Sequence, residues 1–114
     1  MSKGYTVVAT PTFKITLRKL SQFLRNKYGN EAAISCRDTI KLQLEKLSDN
    51  PLAAPISERL ASLGFNEYRQ LLVDQHNLVF YRVNETTKEV ILILVMDSRQ
   101  SIAQLLYETT LQME

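Results

Sequence analysis

The chain has 114 residues, the size of one ordinary domain, with 45% hydrophobic and 23% charged residues. This composition excludes the disordered, collagen-like and low-complexity classes. One cysteine (Cys36) excludes an internal disulfide, and with one histidine it excludes a structural zinc site. The longest apolar run, residues 90–96, is far shorter than the roughly 20 residues of a membrane helix, and no apolar signal-peptide region follows Lys3. We expect a single reduced, cytoplasmic domain over residues 1–114.

Charge is unevenly distributed along the chain. The formal net charge is +2, but residues 1–30 contain six basic residues and no acidic one. All twelve acidic residues lie in residues 31–114, which have a net charge of −4. This division predicts a positive surface near the N-terminal end, which the net charge of the whole chain conceals.

The first part of the chain predicts a strand followed by two helices. Residues 5–9 alternate as in a strand, and Thr10-Pro11-Thr12 ends it with residues typical of a helix start; helical spacing follows from Phe13. An apolar stripe with helical spacing follows: Phe13, Leu17, Leu20, Leu24 and Tyr28. Basic residues lie along one edge of that stripe: Lys14, Arg18 and Arg25. These residues predict a basic amphipathic helix of about four turns.

A break at Gly29 and Asn30 separates this helix from a second one. Asn30 is the predicted N-cap, and Glu31 lies in the first turn. The second apolar stripe consists of Ala33, Cys36, Ile40, Leu44 and Leu47. We therefore expect an antiparallel helical hairpin packed on a sheet, with Cys36 as a small core residue.

The remainder of the chain predicts three strands and a final helix. A loop with a short helical turn near residues 57–63 leads to strands at 68–73, 78–83 and 90–96. The last strand is apolar at every position and should be central, with both faces buried. Ser101 and Gln104 form a predicted capping box before the final helix. The predicted fold is α+β, β-α-α-β-β-β-α, with a mostly antiparallel sheet of about four strands against the hairpin.

Three patches in this order resemble the RelE/ParE superfamily of bacterial type II toxin–antitoxin toxins, which includes plasmid stabilisation proteins. They are LEKLSDNP at residues 44–51, Tyr68-Arg69 with LVFYRV at residues 78–83, and VMDSRQ at residues 95–100. Together they span nearly the whole chain. The resemblance implies the RelE/ParE fold and a growth inhibitor that a co-encoded antitoxin neutralises. We expect no metal or organic cofactor, because the sequence has no ligand cluster and no Gly-rich phosphate loop, and no membrane, because its apolar runs are short.

The resemblance implies one of two target classes. ParE-like members inhibit DNA gyrase, whereas RelE-like members cut mRNA on the ribosome. RNA cleavage needs a base, an acid and cationic donors, which RelE-like chains supply from loop lysines, a middle-strand arginine, and an arginine and tyrosine after the last strand. Here the loop at residues 51–67 contains no lysine, and Arg59 is its only basic residue. Leu78 occupies the position of the family's middle-strand arginine. Tyr107 lies two residues beyond the tyrosine position, and Asp97 replaces a common histidine.

Arg99 matches the family arginine after the last strand and is the strongest candidate for function. A salt bridge or cap with Asp97 is the competing interpretation. The candidate catalytic residues, if the chain is a nuclease, are Arg99, Arg69 and Tyr107. The candidate target- or nucleic-acid-binding residues are Lys14, Arg18, Arg25, Arg69, Arg82 and Arg99. His76, in a polar turn, is interpreted as a surface residue, and Tyr81 as either core or base-stacking.

The missing nuclease residues favour gyrase inhibition, a non-catalytic function. A ribosome-dependent mRNA endoribonuclease is the alternative, and an inactive toxin-like binding module is the third interpretation. The expected partner is an antitoxin with an acidic or amphipathic, partly disordered tail that wraps the hairpin and sheet. Such a complex would reach operator DNA through the antitoxin.

Overall fold

The computed structural model describes residues 4–113 and contains a four-stranded mixed sheet with helices on both faces. The elements in chain order are β1 (Thr6–Ala9), α1 (Pro11–Tyr28), α2 (Asn30–Leu47), α3 (Glu58–Ala61), β2 (Arg69–Leu72), β3 (Asn77–Asn84), β4 (Glu89–Asp97) and α4 (Ile102–Met113). The predicted α+β fold and its element order are confirmed.

The sheet has the strand order β1-β4-β3-β2, so β4 is central, as predicted. β1 pairs with β4 in parallel, whereas β4 with β3 and β3 with β2 are antiparallel. A register shift between Phe80 and Tyr81 interrupts the β3–β4 ladder. The prediction that β4 is buried on both faces is only partly correct. Ile91 and Ile93 are half-buried, because the face they share is incompletely covered along the first half of the strand.

Helix α1 starts as its sequence predicts. Thr10 is the N-cap, and its side-chain oxygen accepts a hydrogen bond from the Phe13 N–H at 3.1 Å. Pro11 occupies the first helical position, where a missing N–H costs nothing. Phe13, Leu20 and Leu24 are buried, as predicted, and pack toward the sheet. The predicted apolar stripe ends before Tyr28, which is exposed at the last residue of the helix.

The N-cap predicted at Asn30 is wrong. Gly29 is the N-cap of α2, with φ of 103°, and its N–H also closes α1 on the Arg25 carbonyl at 3.0 Å. One residue therefore ends the first helix and precedes the second, which its freedom at positive φ permits. Asn30 instead accepts a hydrogen bond from Arg25 Nε at 3.0 Å. The apolar stripe of α2 is confirmed, including the buried Cys36, although Leu44 is only half-buried.

Two apolar clusters lie on opposite faces of the sheet. On the hairpin face, Val79, Tyr81 and Val95 pack with residues of α1 and α2. On the other face, α3 and α4 cover the second cluster, which consists of Leu60, Leu78, Phe80, Leu94, Met96 and Leu105. Ser57 and Ser101 cap α3 and α4 by accepting the N–H of Leu60 and Gln104. Gln104 does not complete the capping box, because its amide donates to Glu108. Among the described helices, none is long and apolar enough to cross a bilayer.

A buried threonine links α1 to the centre of the sheet. The Thr16 hydroxyl accepts a hydrogen bond from the Val95 N–H at 3.1 Å and donates to carbonyls of its own helix. Replacing Thr16 with Val would leave the Val95 N–H buried without an acceptor. We expect Thr16→Val to lower the free energy of unfolding by about 1–3 kcal/mol in urea denaturation. Thr39→Val is the matched control, because the Thr39 hydroxyl bonds only to its own helix, at the Ser35 carbonyl; an equal loss in both variants would contradict the account.

Candidate functional site

Arg99 lies just beyond β4 and is held by the last residue of that strand. Arg99 Nε donates to Asp97 Oδ1 at 2.6 Å, and the Arg99 backbone N–H donates to the same oxygen at 2.8 Å. A second contact joins Arg99 Nη2 to Asp97 Oδ2, so the pair is bidentate. Asp97 is 0% exposed, while the Arg99 side chain is 39% exposed. The salt bridge considered in the sequence is therefore present, and it orients the guanidinium toward the surface.

Tyr28 is the tyrosine that contacts Arg99. Arg99 Nη1 donates to the Tyr28 hydroxyl, and the guanidinium carbon lies 5.1 Å from the centroid of the Tyr28 ring. This contact joins the end of α1 to the turn after β4. Tyr107 is 66% exposed on α4, one residue after Leu106, which packs in the cluster on the other sheet face.

Asp97 is stabilised as a carboxylate by its surroundings. Burial alone would raise its pKa, but the hydrogen bonds and positive charge of Arg99, with a contribution from His76, lower the pKa below its usual value. The turn around Asp97 is also fixed: its N–H donates to Gln100 Oε1 at 2.9 Å, and the Ser98 N–H donates to the His76 carbonyl at 2.6 Å. The geometry at Arg99 is thus set by two adjacent loops.

The neighbouring β2–β3 turn is organised by a second carboxylate. Asp74 Oδ1 accepts hydrogen bonds from the N–H groups of His76 and Asn77, each at 2.9 Å. Burial again opposes ionisation, and these hydrogen bonds outweigh it, so the pKa of Asp74 is also lowered. Burial raises the pKa of Cys36 to about 11, with further contributions from Asp74 and Asp97. The Cys36 thiol therefore stays protonated and acts as a core side chain.

Arg69 and Arg82 lie on opposite faces of the sheet. Arg69 is paired with Tyr81 and shares the hairpin face with it, because side chains alternate along a strand. Arg82 follows Tyr81 and so points to the opposite face. Arg69 Nη1 donates to the carbonyls of Ala54 at 2.6 Å and Leu52 at 3.4 Å, while the Tyr81 hydroxyl donates to the Pro51 carbonyl at 2.6 Å. Both side chains thus hold the loop after α2.

Three of the predicted binding residues do come together, on the hairpin. Lys14, Arg18 and Arg25 of α1 line a shallow cleft of about 310 Å³ with Arg37 of α2. Leu17, Ser21 and Gln22 complete its lining, and none of the cleft's lining residues is acidic. The positive surface predicted from the charge asymmetry is therefore present as a basic cleft between the two helices.

Sequence reasoning missed Tyr28 and Arg37. Tyr28 continues the apolar spacing of α1, so only its place in the last turn, beside Gly29, indicates that it reaches solvent. Arg37 lies one residue after Cys36, off the apolar stripe of α2. In an antiparallel hairpin with a one-residue break, this part of α2 lies beside Ser21 and Arg25. The predicted hairpin geometry could therefore have added Arg37 to the basic residues of α1.

The arrangement supports contacts to anions more readily than acid–base chemistry. Arg99 uses one N–H on each of three nitrogens for Asp97 and Tyr28, which leaves a further N–H on Nη1 and on Nη2. These donors suit a phosphate or carboxylate. Between residues 4 and 113, no group of three or more His, Cys, Asp or Glu side chains is placed to hold a metal ion.

No family model and no curated protein matches this sequence. Solved structures, however, match the fold of this chain. A chain of the chromosomal ParDE toxin–antitoxin system from P. aeruginosa aligns with a TM-score of 0.67 and 19% identity, over 84% of this chain and 98% of its own. A chain of the RelBE2 toxin–antitoxin complex from Mycobacterium tuberculosis aligns with a TM-score of 0.55 and 19% identity, over 82% and 98%. The chain therefore has the fold of these two chains from a ParDE and a RelBE toxin–antitoxin system, as the resemblance to the RelE/ParE superfamily predicts.

Proposed function

We propose that this chain is the toxin of a type II toxin–antitoxin pair and that it inhibits growth by binding DNA gyrase, as ParE-like toxins do. The fold supports the first part, because both structural relatives named above come from toxin–antitoxin systems. The proposed contact surface comprises Arg99 and the basic first helix. No covalent step is needed for this function, since the inhibitor acts by occupying its target.

The observation that carries the choice of gyrase is the environment of Leu78. This residue aligns with the arginine that RelE-like nucleases supply from the middle strand. Leu78 is 3% exposed and packs with Phe80 and Met96 beneath α3 and α4. An arginine there would place a charge in an apolar cluster, at a large desolvation cost. The position that would stabilise a phosphorane is part of the core in this chain.

The runner-up function is ribosome-dependent mRNA cleavage, and one observation favours it. Arg99 is held rigidly by Asp97 and Tyr28 and still has N–H groups for a phosphate. Arg69 would not assist it, because its guanidinium is bound to the loop carbonyls. The third interpretation, an inactive binding module, predicts no growth inhibition at all.

The experiment that tests the proposal is pulse labelling of bacteria just after the chain is induced without its antitoxin. If the chain inhibits gyrase, thymidine incorporation should collapse before methionine incorporation does. An early loss of methionine incorporation would instead support mRNA cleavage. Unchanged incorporation of both labels, with the protein shown to be folded and present, would support the inactive module.

Substitution of Arg99 separates the two active mechanisms. Arg99→Lys keeps the positive charge beside the buried Asp97 but loses the bidentate geometry. A gyrase inhibitor spreads its binding energy over several residues, so we expect toxicity to fall by less than about tenfold in a dilution plating assay. A nuclease that relies on this guanidinium should lose toxicity almost completely. Circular dichroism of both proteins excludes unfolding as the cause, and Lys46→Glu on the exposed face of α2 is the control.

A further inference from the structure

Two carboxylates lie at the end of the sheet from which Arg99 projects, and they differ in how they reach it. Asp97 binds the guanidinium directly. The hydrogen bonds of Asp74 go instead to His76 and Asn77, within the β2–β3 turn. Any effect of Asp74 on Arg99 must therefore pass through the backbone of that turn.

Asp74 fixes the orientation of one peptide unit in the turn. The Asn77 N–H, which donates to Asp74 Oδ1 at 2.9 Å, belongs to the same planar unit as the His76 carbonyl. In a trans peptide these two groups point in opposite directions, so holding the N–H on Asp74 directs the carbonyl away from it. The Asn77 side chain adds to the hold, because its Nδ2 donates to Asp74 Oδ1 at 2.9 Å and to Oδ2 at 2.8 Å.

The carbonyl oriented in this way holds the turn that carries Arg99. The His76 carbonyl accepts the Ser98 N–H at 2.6 Å. Ser98 is the second residue of a β-turn, which the Gln100 N–H closes on the Asp97 carbonyl at 2.9 Å, and Arg99 is the third. One peptide unit therefore connects the Asp74 carboxylate to the turn from which the guanidinium projects.

The other end of β3 provides a comparison within the same molecule. Asn84 Oδ1 accepts the N–H groups of Thr86 and Thr87, at 3.0 and 3.2 Å, in the β3–β4 turn. These are the same two positions, two and three residues further on, that Asp74 holds. Both side chains stabilise a hairpin turn, but Asn84 lies roughly 24 Å away along the strand from the turn next to Arg99. Only at Asp74 can this device also orient Arg99.

We propose that Asp74 is a positioning residue for Arg99, acting through the His76–Asn77 peptide unit and the Ser98 N–H. The consequence for growth inhibition rests on the proposed function, in which Arg99 contacts the target. The positioning itself does not depend on which target is bound.

The test measures how fast the Arg99 Nε–H exchanges with water, by NMR of the purified chain. Its signal is the one missing from Arg99→Lys, and exchange is slow while the group is held by the buried Asp97. We expect Asp74→Ala to accelerate exchange by about tenfold or more, because the turn then opens more often. Asp74→Asn keeps an oxygen acceptor for the turn and should stay within about threefold of the wild type.

Asn84→Ala is the matched control. It removes the same pair of hydrogen bonds from the other turn and should lower stability in urea by about as much as Asp74→Ala does. The exchange rate of Arg99 Nε–H should nevertheless stay unchanged. A loss of stability alone is thereby separated from a loss of positioning.

Ser98→Pro tests the link itself. Proline removes the N–H that donates to His76, at the second position of a β-turn, where proline is well accepted. Asp97 before it is already extended, as the last residue of β4. We expect this variant to reproduce the faster exchange of Asp74→Ala, and the two changes together to add little. Should Asp74→Ala fail to fold, Ser98→Pro still decides the question.

Three results would overturn the proposal. Unchanged exchange in folded Asp74→Ala or Ser98→Pro would exclude the link. Equal acceleration by Asp74→Asn and Asp74→Ala would assign the effect to charge and not to the turn. Equal acceleration in Asn84→Ala would assign it to general stability.

Toxicity in cells separates this proposal from the proposed function. In dilution plating, Asp74→Ala should lower toxicity by no more than Arg99→Lys does, and the double variant should match Arg99→Lys alone, since both act on one guanidinium. Faster exchange with full toxicity would contradict the role of Arg99 in the proposed function and leave the positioning intact. Reduced toxicity with unchanged exchange would overturn the positioning.

Discussion

Leu94→Ala should lower the free energy of unfolding by about 2–5 kcal/mol, the largest loss we expect from any single change discussed here. Leu94 is 0% exposed on the central strand and packs with Leu78, Phe80 and Leu105 under α4. Alanine would leave a cavity that these side chains, fixed on separate elements, cannot fill. Urea denaturation followed by circular dichroism measures the loss.

Leu72→Ala is the matched control for this prediction. Leu72 is the same residue type on the edge strand β2, and it is 60% exposed. Its substitution should change the stability by less than about 0.5 kcal/mol, since surface changes rarely exceed that value. Similar losses at both positions would contradict the assignment of the Leu94 face as core, and with it the argument against a catalytic site on that face.

Asp97→Asn should lower the free energy of unfolding by about 1–3 kcal/mol at neutral pH. The amide can still accept from Arg99 Nε, but its NH₂ group would face the Nη2 donor of Arg99, which now contacts the second carboxylate oxygen. The group is fully buried, so water cannot replace the lost contact. Asp38→Asn, an exposed change on α2, should have little effect in the same denaturation experiment.

The pH dependence of stability provides a second readout for Asp97. Its pKa in the fold lies below the ordinary value of 3.8, because Arg99 outweighs the effect of burial. A lowered pKa contributes stability that is present above the ordinary pKa and is lost as the pH falls through the folded pKa. The difference between the wild type and Asp97→Asn should therefore be full above about pH 5 and shrink in stronger acid. A difference that stays constant across this range would contradict the ionised pair.

Most of the fold could be predicted because its signals are local. The apolar stripes of α1 and α2, the cap at Thr10 and the apolar run in β4 each depend on neighbouring residues. The errors occur where one residue has two roles or where coverage by a distant element decides burial. Gly29 serves both helices, which displaced the predicted cap at Asn30. Ile93 is half-buried because the helices on its face of the sheet cover it only in part. The sequence of the strand itself carries no signal of that coverage.

The candidate site was less predictable than the fold, because its contacts join distant parts of the chain. Arg99 and Asp97 are two positions apart in the chain, so their salt bridge is a local contact that the sequence suggests. Tyr28 reaches Arg99 across 71 positions, and only the packing of α1 on β4 brings them together. Arg69 and Arg82 were both candidate binding residues, but alternation along β2 and β3 places them on opposite faces of the sheet.

The proposal that this chain inhibits gyrase by binding, and does not cut RNA, can be tested in a supercoiling assay with purified components. The chain is added in increasing amounts to DNA gyrase, ATP and relaxed plasmid. We expect supercoiling to be lost as the chain approaches the concentration of gyrase, and mRNA on purified ribosomes to stay intact under the same conditions. Unaffected gyrase together with cleaved ribosome-bound mRNA would contradict it.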